Sequence, residues 1–526
     1  MSFSRRSVHQ NIFFLLLAVL VAAMPTSKFL MSATIILFSA NWLIEGHFRQ
    51  KWQTARRNTA LQAFVALYLV HVVWCLFSSN WDYALDDLRR KLPLLAIPVV
   101  VFTSDYLDRR KTNILLQLFC LTVTTASMVG IMRQLALPST DYRAMFPHFS
   151  HIRFALNVCM AIVIMSYAIY RTAKSSQLEH KWLKITAMML TIIVYFVVLL
   201  LLQSYTAFVI LGATFVVLLG WLASKRRRQP KYLATFVSAL AVMVVAMWAV
   251  FSHYRSNYYT PSELSQRPLA THTANGNAYT HANDGLIEMG GYINNYVCDS
   301  ELRSQWAGRS LLNIDSLTPN SYAVYPTLVR YLNAKGLTKD SVGVWSLTSA
   351  DVRLIEQGVA NPYYSDNFGM GKMFYRLFFD YECYKQSGLI VNSSLLQRFE
   401  LWRNGWSVFG AHPVFGVGTG DVADEVAQSL KRRHSQLAGT NMRTHNQYIT
   451  LLLTFGVVGV AVILFVFCRA IVRQRLLNSA LFVAYLCIVL VSFVSEDTLE
   501  TEAGVVFVSL MFTLLSARAT QPAVTQ

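Results

Sequence analysis

Long apolar stretches alternate with short polar connections along this chain, and most of the stretches show no polar face. Those containing IILFSANWLI, MMLTIIVYFVVLLLL and ITLLLTFGVVGVAVILFVF suit helices that cross an apolar layer about 30 Å thick. Lipid offers the backbone no hydrogen-bond partner, so such segments close their bonds internally as helices. The pattern predicts about twelve spans, near 10–25, 29–45, 59–78, 92–104, 113–133, 152–170, 185–202, 205–223, 232–251, 446–468, 478–494 and 502–517. The fourth is short and begins at a proline, and Gln203, Ser204 and Tyr205 leave almost no connection between the seventh and eighth. Arg5 and Arg6 before a run ending in VAAMP also fit a cleaved signal peptide, but a second apolar run follows at once and favours an uncleaved first span.

One connection differs from the rest. Residues 252–445 form a hydrophilic stretch of 194 residues between the ninth and tenth spans. Within it SYAVYPTLVRYLNAKG predicts a helix stopped by Gly336, and SLTSADVRLIEQGVAN one capped by Ser349 or Asp351 and ended by Gly358. THTANGNAYTHANDG reads as turns and exposed backbone, with sugar contact as the alternative. Toward its end, a capping box from Ser394 to Gln397 predicts a helix near 394–410, followed by a glycine turn and a helix near 421–433. The expected fold is an all-α polytopic membrane protein of about twelve transmembrane helices with a mainly helical subdomain between spans nine and ten. Its parts are a membrane domain over 1–251, the large loop over 252–445, and a closing membrane domain over 446–526.

Composition agrees with this pattern: 54% of the 526 residues are hydrophobic and 14% charged, with a mean hydropathy of +0.38. The net charge of +18 raises nucleic-acid binding as an option, and the placement of the bases removes it. With a cytoplasmic N-terminus, the cytoplasmic connections hold 22 Lys and Arg against Glu45, Asp105, Asp108 and Glu179, which accounts for the whole net charge. That is the positive-inside pattern of a membrane protein. The large loop then lies outside the cytoplasm, and its 17 Lys and Arg against 16 Asp and Glu resemble a soluble surface. An oxidising compartment would permit a disulfide between its two cysteines, Cys298 and Cys383.

Candidate chemistry gathers at the outer membrane edge. Arg398 and Trp402 share one helix face at i and i+4, while Arg403 can pair with Glu400. Gly416, Gly418 and Gly420 form either a plain tight turn or a nest of backbone N–H groups for an anion. His445 stands where the tenth span begins, with Asn446 and Tyr448 beside it; an imidazole, with an ordinary pKa of about 6.5, suits a proton acceptor. Arg153 lies near an apolar boundary, where a charge either snorkels to the interface or serves a purpose. Glu496, Asp497, Glu500 and Glu502 crowd the last outer junction and either balance these arginines or face water. No HExxH, DxD-type carboxylate pair or zinc-spaced cysteine pair occurs in the loop, so neither a metal nor another cofactor is expected.

The order Arg398-x-x-x-Trp402, then HP-x-x-G-x-G-x-G-D, then His445-Asn446-x-Tyr448 leading into a span with Gly456 and Gly459 resembles the O-antigen ligase and polymerase superfamily. The enlarged loop, with VCDSELRSQW and LTSADVRLIEQG, looks like the version found in Bacteroidetes-type bacteria. The resemblance implies a metal-independent, inverting transfer of a glycan from undecaprenyl diphosphate to a hydroxyl acceptor, at the periplasmic face of a bacterial inner membrane. His445 would be the general base and Arg398 a catalytic diphosphate contact, with Arg153, Arg403, Trp402, Gly416, Gly418, Gly420, Asn446 and Tyr448 binding substrate. Many relatives carry a Ser-Arg pair where this chain has Ser204-Tyr205, so either Arg153 or Arg403 would supply that contact or the donor would be held differently here. Lipid A-core is the first expected acceptor; a growing polysaccharide and a protein hydroxyl are the alternatives. A polysaccharide transporter would need charges deep in several spans, and most span interiors have none.

Overall fold

The computed structural model describes residues 5–136, 145–146, 149–175, 179–226, 229–282, 285–365, 371–390, 393–440 and 442–521. Arg227 and Arg228 of the cytoplasmic charge count lie outside them. Among the described residues, ten helices are long and apolar enough to cross a membrane: Arg6–Ala23, Lys28–Glu45, Thr59–Phe77, Arg109–Ala136, His151–Lys174, Lys181–Leu201, Tyr205–Lys225, Pro230–Tyr259, Gln447–Arg473 and Glu502–Thr520. The remaining two expected spans are also helical but shorter, at 12 residues for Pro93–Ser104 and 16 for Ala480–Ser495. At 1.5 Å per residue, the first covers roughly 18 Å of a ~30 Å layer, so the count of full-length spans is ten where about twelve were expected. Both short helices pack against Glu502–Thr520, which is buried along most of its length.

Local signals set several helix starts. Asn58, Ser479 and Thr501 accept backbone N–H bonds as N-caps of the helices that follow them. The helix near 394–410 is present as Ser394–Ala411, one residue out of register with the expected capping box: Ser393, not Ser394, accepts the N–H of Leu396.

The chain divides into two compact units, one comprising 1–237 with 398–526 and the other 238–397. The second unit has its own core around Trp306, Leu328, Leu332, Val344 and Ile355. Its helices include Asp299–Ala307, Val324–Ala334, Ser349–Glu356 and Gly371–Ser387, beside a two-stranded hairpin pairing Ile287–Glu288 with Gly291–Tyr292. Thr348, rather than Ser349 or Asp351, is the N-cap of Ser349–Glu356, in a capping box with Asp351. Gly336 and Gly358 follow their helices with positive φ, as stops do. Cys298 and Cys383 are both free thiols, so the disulfide that the compartment would permit is not formed.

Candidate functional site

The acidic segment between Ala480–Ser495 and Glu502–Thr520 faces protein rather than water. Glu496, Asp497 and Glu500 are all buried. Glu496 accepts from Arg398 at 2.8 Å, and Arg153 lies 4.0 Å from its other oxygen. Arg153, also buried, donates to the Thr498 hydroxyl at 3.1 Å and to the Asp497 carbonyl at 3.0 Å. Two arginines from distant parts of the chain therefore converge on one carboxylate. Burial pushes the Glu496 carboxyl above its ordinary range, and the charges of Arg153, Arg398 and His445 pull it back.

Asp497 ties this cluster to the candidate histidine. Its Oδ2 accepts the His445 backbone N–H at 2.9 Å, and its Oδ1 accepts the Thr450 hydroxyl at 2.9 Å. His445 itself has φ +50°, a left-handed conformation uncommon for a residue with a side chain. The Asp497 contact fixes that turn at the mouth of Gln447–Arg473. Burial, and then the neighbouring Glu500, raise the Asp497 carboxyl. Glu500 goes the other way: burial alone would raise it, but Lys91 at 3.1 Å and Gln447 at 3.2 Å outweigh that and hold it below the usual range.

The other expected site residues divide by what they touch. Asn446 is the N-cap of Gln447–Arg473, accepting from the Ile449 N–H at 3.1 Å and donating to the Val494 carbonyl at 3.0 Å. Tyr448 donates to the Leu490 carbonyl at 2.7 Å. Both polar groups brace helices through these bonds. Arg403 is exposed, and among the described residues it forms no ion pair with Glu400. Trp402 has a buried Nε1 with no hydrogen-bond partner among the described residues.

The glycine turn also departs from the anion-nest expectation. Gly416 N–H donates to the His412 carbonyl at 3.0 Å, Gly418 N–H to Thr454 at 3.1 Å, and Gly420 N–H to the Ser78 hydroxyl at 2.8 Å. With these donors taken, the turn has a packing reason. Gln447–Arg473 breaks at Gly456, whose φ is +61°, and the turn fills the break: Val457 and Val458 donate to the carbonyls of Pro413 and Val414, while Leu453 and Thr454 accept from Val417 and Gly418. Non-helical backbone in an apolar span is tolerated where protein satisfies it. On its other side the turn is held by Trp74, which donates to the Phe415 carbonyl at 2.6 Å, and by Asp421, which accepts the N–H groups of Ser79 and Asn80. A Cβ on Gly420 would meet the Asn80 carbonyl at 2.2 Å.

Sequence reasoning missed the Trp81–Lys91 helix. Lys91 is buried and bridges Asp87 at 2.7 Å and Glu500 at 3.1 Å, and Arg443 donates to the Glu500 carbonyl at 2.9 Å. The available signal was Asp87 and Lys91 at i, i+4, with Lys91 two residues before the proline of an apolar run. With them the cluster holds four acids and four permanent bases beside one histidine. Among the described residues, no group of three or more His, Cys, Asp or Glu side chains is gathered as a metal site.

No curated protein matches the chain. Residues 390–464, which contain Arg398, the glycine turn, His445 and the break at Gly456, match the family model described as O-antigen ligase. The chain is thus an all-α, multi-pass membrane protein that carries, over residues 390–464, a domain of the O-antigen ligase and polymerase superfamily.

Proposed function

We propose that the protein transfers a glycan from undecaprenyl diphosphate to a hydroxyl of lipid A-core, at the periplasmic face of the inner membrane. The observation that carries this reading is the convergence of Arg398 and Arg153 on Glu496, one residue from the Asp497 that holds His445. His445 takes the acceptor proton as its oxygen attacks the anomeric carbon, and the bond to the diphosphate breaks from the opposite face with inversion. Negative charge grows on the departing diphosphate, and guanidinium groups held in advance stabilise that charge more than the ground state. Glu496 keeps the two side chains in place and their charges balanced until the donor arrives.

Gel analysis of lipopolysaccharide from a deletion strain, together with its lipid-linked intermediates, tests the acceptor. Long chains retained on the carrier are expected. Single repeats on the core would replace the ligase with a polymerase, and normal lipopolysaccharide with lost glycoproteins would replace it with a protein glycosyltransferase.

A further inference from the structure

The 238–397 unit contains a cavity of about 380 Å³ whose wall shares no residue with the cluster around Glu496 and His445. Its wall includes Tyr259, Ser262, Arg267, Tyr292, Asn333 and Lys339, and among the described residues no Asp or Glu lines it. Lys339 is 1% exposed. Its backbone is fixed on both sides, donating to the Tyr296 carbonyl at 2.9 Å and accepting from Cys298 at 2.8 Å. Its ammonium has three N–H donors and one hydrogen bond among the described residues, to Asn333 Oδ1 at 2.8 Å. Asn333 is oriented for that bond because its amide donates to the carbonyls of Glu288 and Gly291.

A buried lysine with no carboxylate beside it is costly, and burial pushes its pKa down to about 7. An anion in the cavity would fill the free donors and restore the charge. Arg267, exposed and without an ion pair among the described residues, adds a second positive charge to the wall. Tyrosine rings combined with serine and asparagine polar groups suit a ring that is apolar on its faces and hydroxylated at its edges. The volume falls within the ~300–1,000 Å³ of small-molecule pockets.

We propose that this cavity binds an acidic sugar residue, whose carboxylate is taken by Lys339 with Arg267 assisting and whose ring lies along the tyrosine wall. The inference does not depend on the transfer reaction. Calorimetric titration of the full-length protein in detergent with galacturonate, galactose and inorganic phosphate tests it. Galacturonate is expected to bind saturably, and galactose at least about tenfold more weakly. Lys339→Met, which removes a buried charge and nearly preserves volume, is expected to weaken galacturonate by about tenfold or more, and exposed Arg267→Ala by about threefold. Absent galacturonate binding, equal galactose affinity, or unchanged affinity in folded Lys339→Met overturns the proposal. Phosphate binding as tight as galacturonate overturns the sugar assignment. Should Lys339→Met fail to fold, Arg267→Ala decides: weakened binding supports the site and unchanged binding overturns it.

Discussion

Glu496 holds Arg398 and buried Arg153 on one carboxylate, so its replacement separates structure from chemistry at single-residue resolution. Glu496→Gln keeps the shape but removes one of the two carboxylate charges that act on buried Arg153; a stability loss of about 2 kcal/mol or more follows from leaving a buried charge in imbalance. Thermal unfolding in detergent checks this, and an unshifted transition would refute it. His445→Ala is the complementary case. The residue contacts the cluster through its backbone N–H, which alanine retains, so the fold is expected to persist while transfer falls by about 10²–10⁴-fold. Ligation assayed with purified lipid-linked donor reads the difference, and wild-type turnover would eliminate the general-base role.

At the scale of elements, glycines place helices and carboxylates fasten them. A Cβ at Gly456 would lie 2.3 Å from the Val414 carbonyl, at a φ of +61°, whereas one at Gly410 meets nothing within 4 Å. Gly456→Ala is therefore expected to cost about 2 kcal/mol or more; Gly410→Ala, inside a helix, is expected to stabilise by roughly 0.5–1 kcal/mol. Equal unfolding temperatures for the pair would contradict the docking account of the turn. In the 238–397 unit, Glu301 joins Asp299–Ala307 to the Thr273 turn and the Ser341 N–H at 2.6–2.9 Å. Burial would raise its pKa, but these hydrogen bonds outweigh it and hold it at about 2. The stabilisation is present above the ordinary glutamate range of about 4.3 and is lost as pH falls through about 2. Acid titration by near-ultraviolet circular dichroism should show the wild type losing tertiary signal across this window and Glu301→Gln, weaker at neutral pH, changing less.

For the whole molecule, the charge pattern of the connections predicts one orientation. In a Cys468→Ser background, Leu311→Cys in the large unit should react with an impermeant maleimide on intact spheroplasts. Lys231→Cys, in the first turn of Pro230–Tyr259, should react only after permeabilisation. Both positions are exposed, so reversed labelling would invert the topology and overturn the proposed periplasmic placement of the site.

The sequence by itself determined the apolar helices of the membrane part, the presence of one long hydrophilic stretch late in the chain, and the stops at Gly336 and Gly358, because hydrophobic period and cap chemistry are local. It also marked His445, Arg398 and Arg153 as unusual, since polar groups at an apolar edge stand out in one dimension. Tertiary structure decided what each of them touches. Arg153 and Thr498 are 345 positions apart, and no local pattern states that pairing. The same limit hid Lys91 and Asp87, and left Glu496, Asp497 and Glu500 undecided between water and protein. It also made Gly416, Gly418 and Gly420 look like free donors when His412, Thr454 and Ser78 accept from them. Whether an N–H or a carboxylate is available for chemistry depends on which groups packing brings within about 3 Å, and packing is set by the whole chain at once.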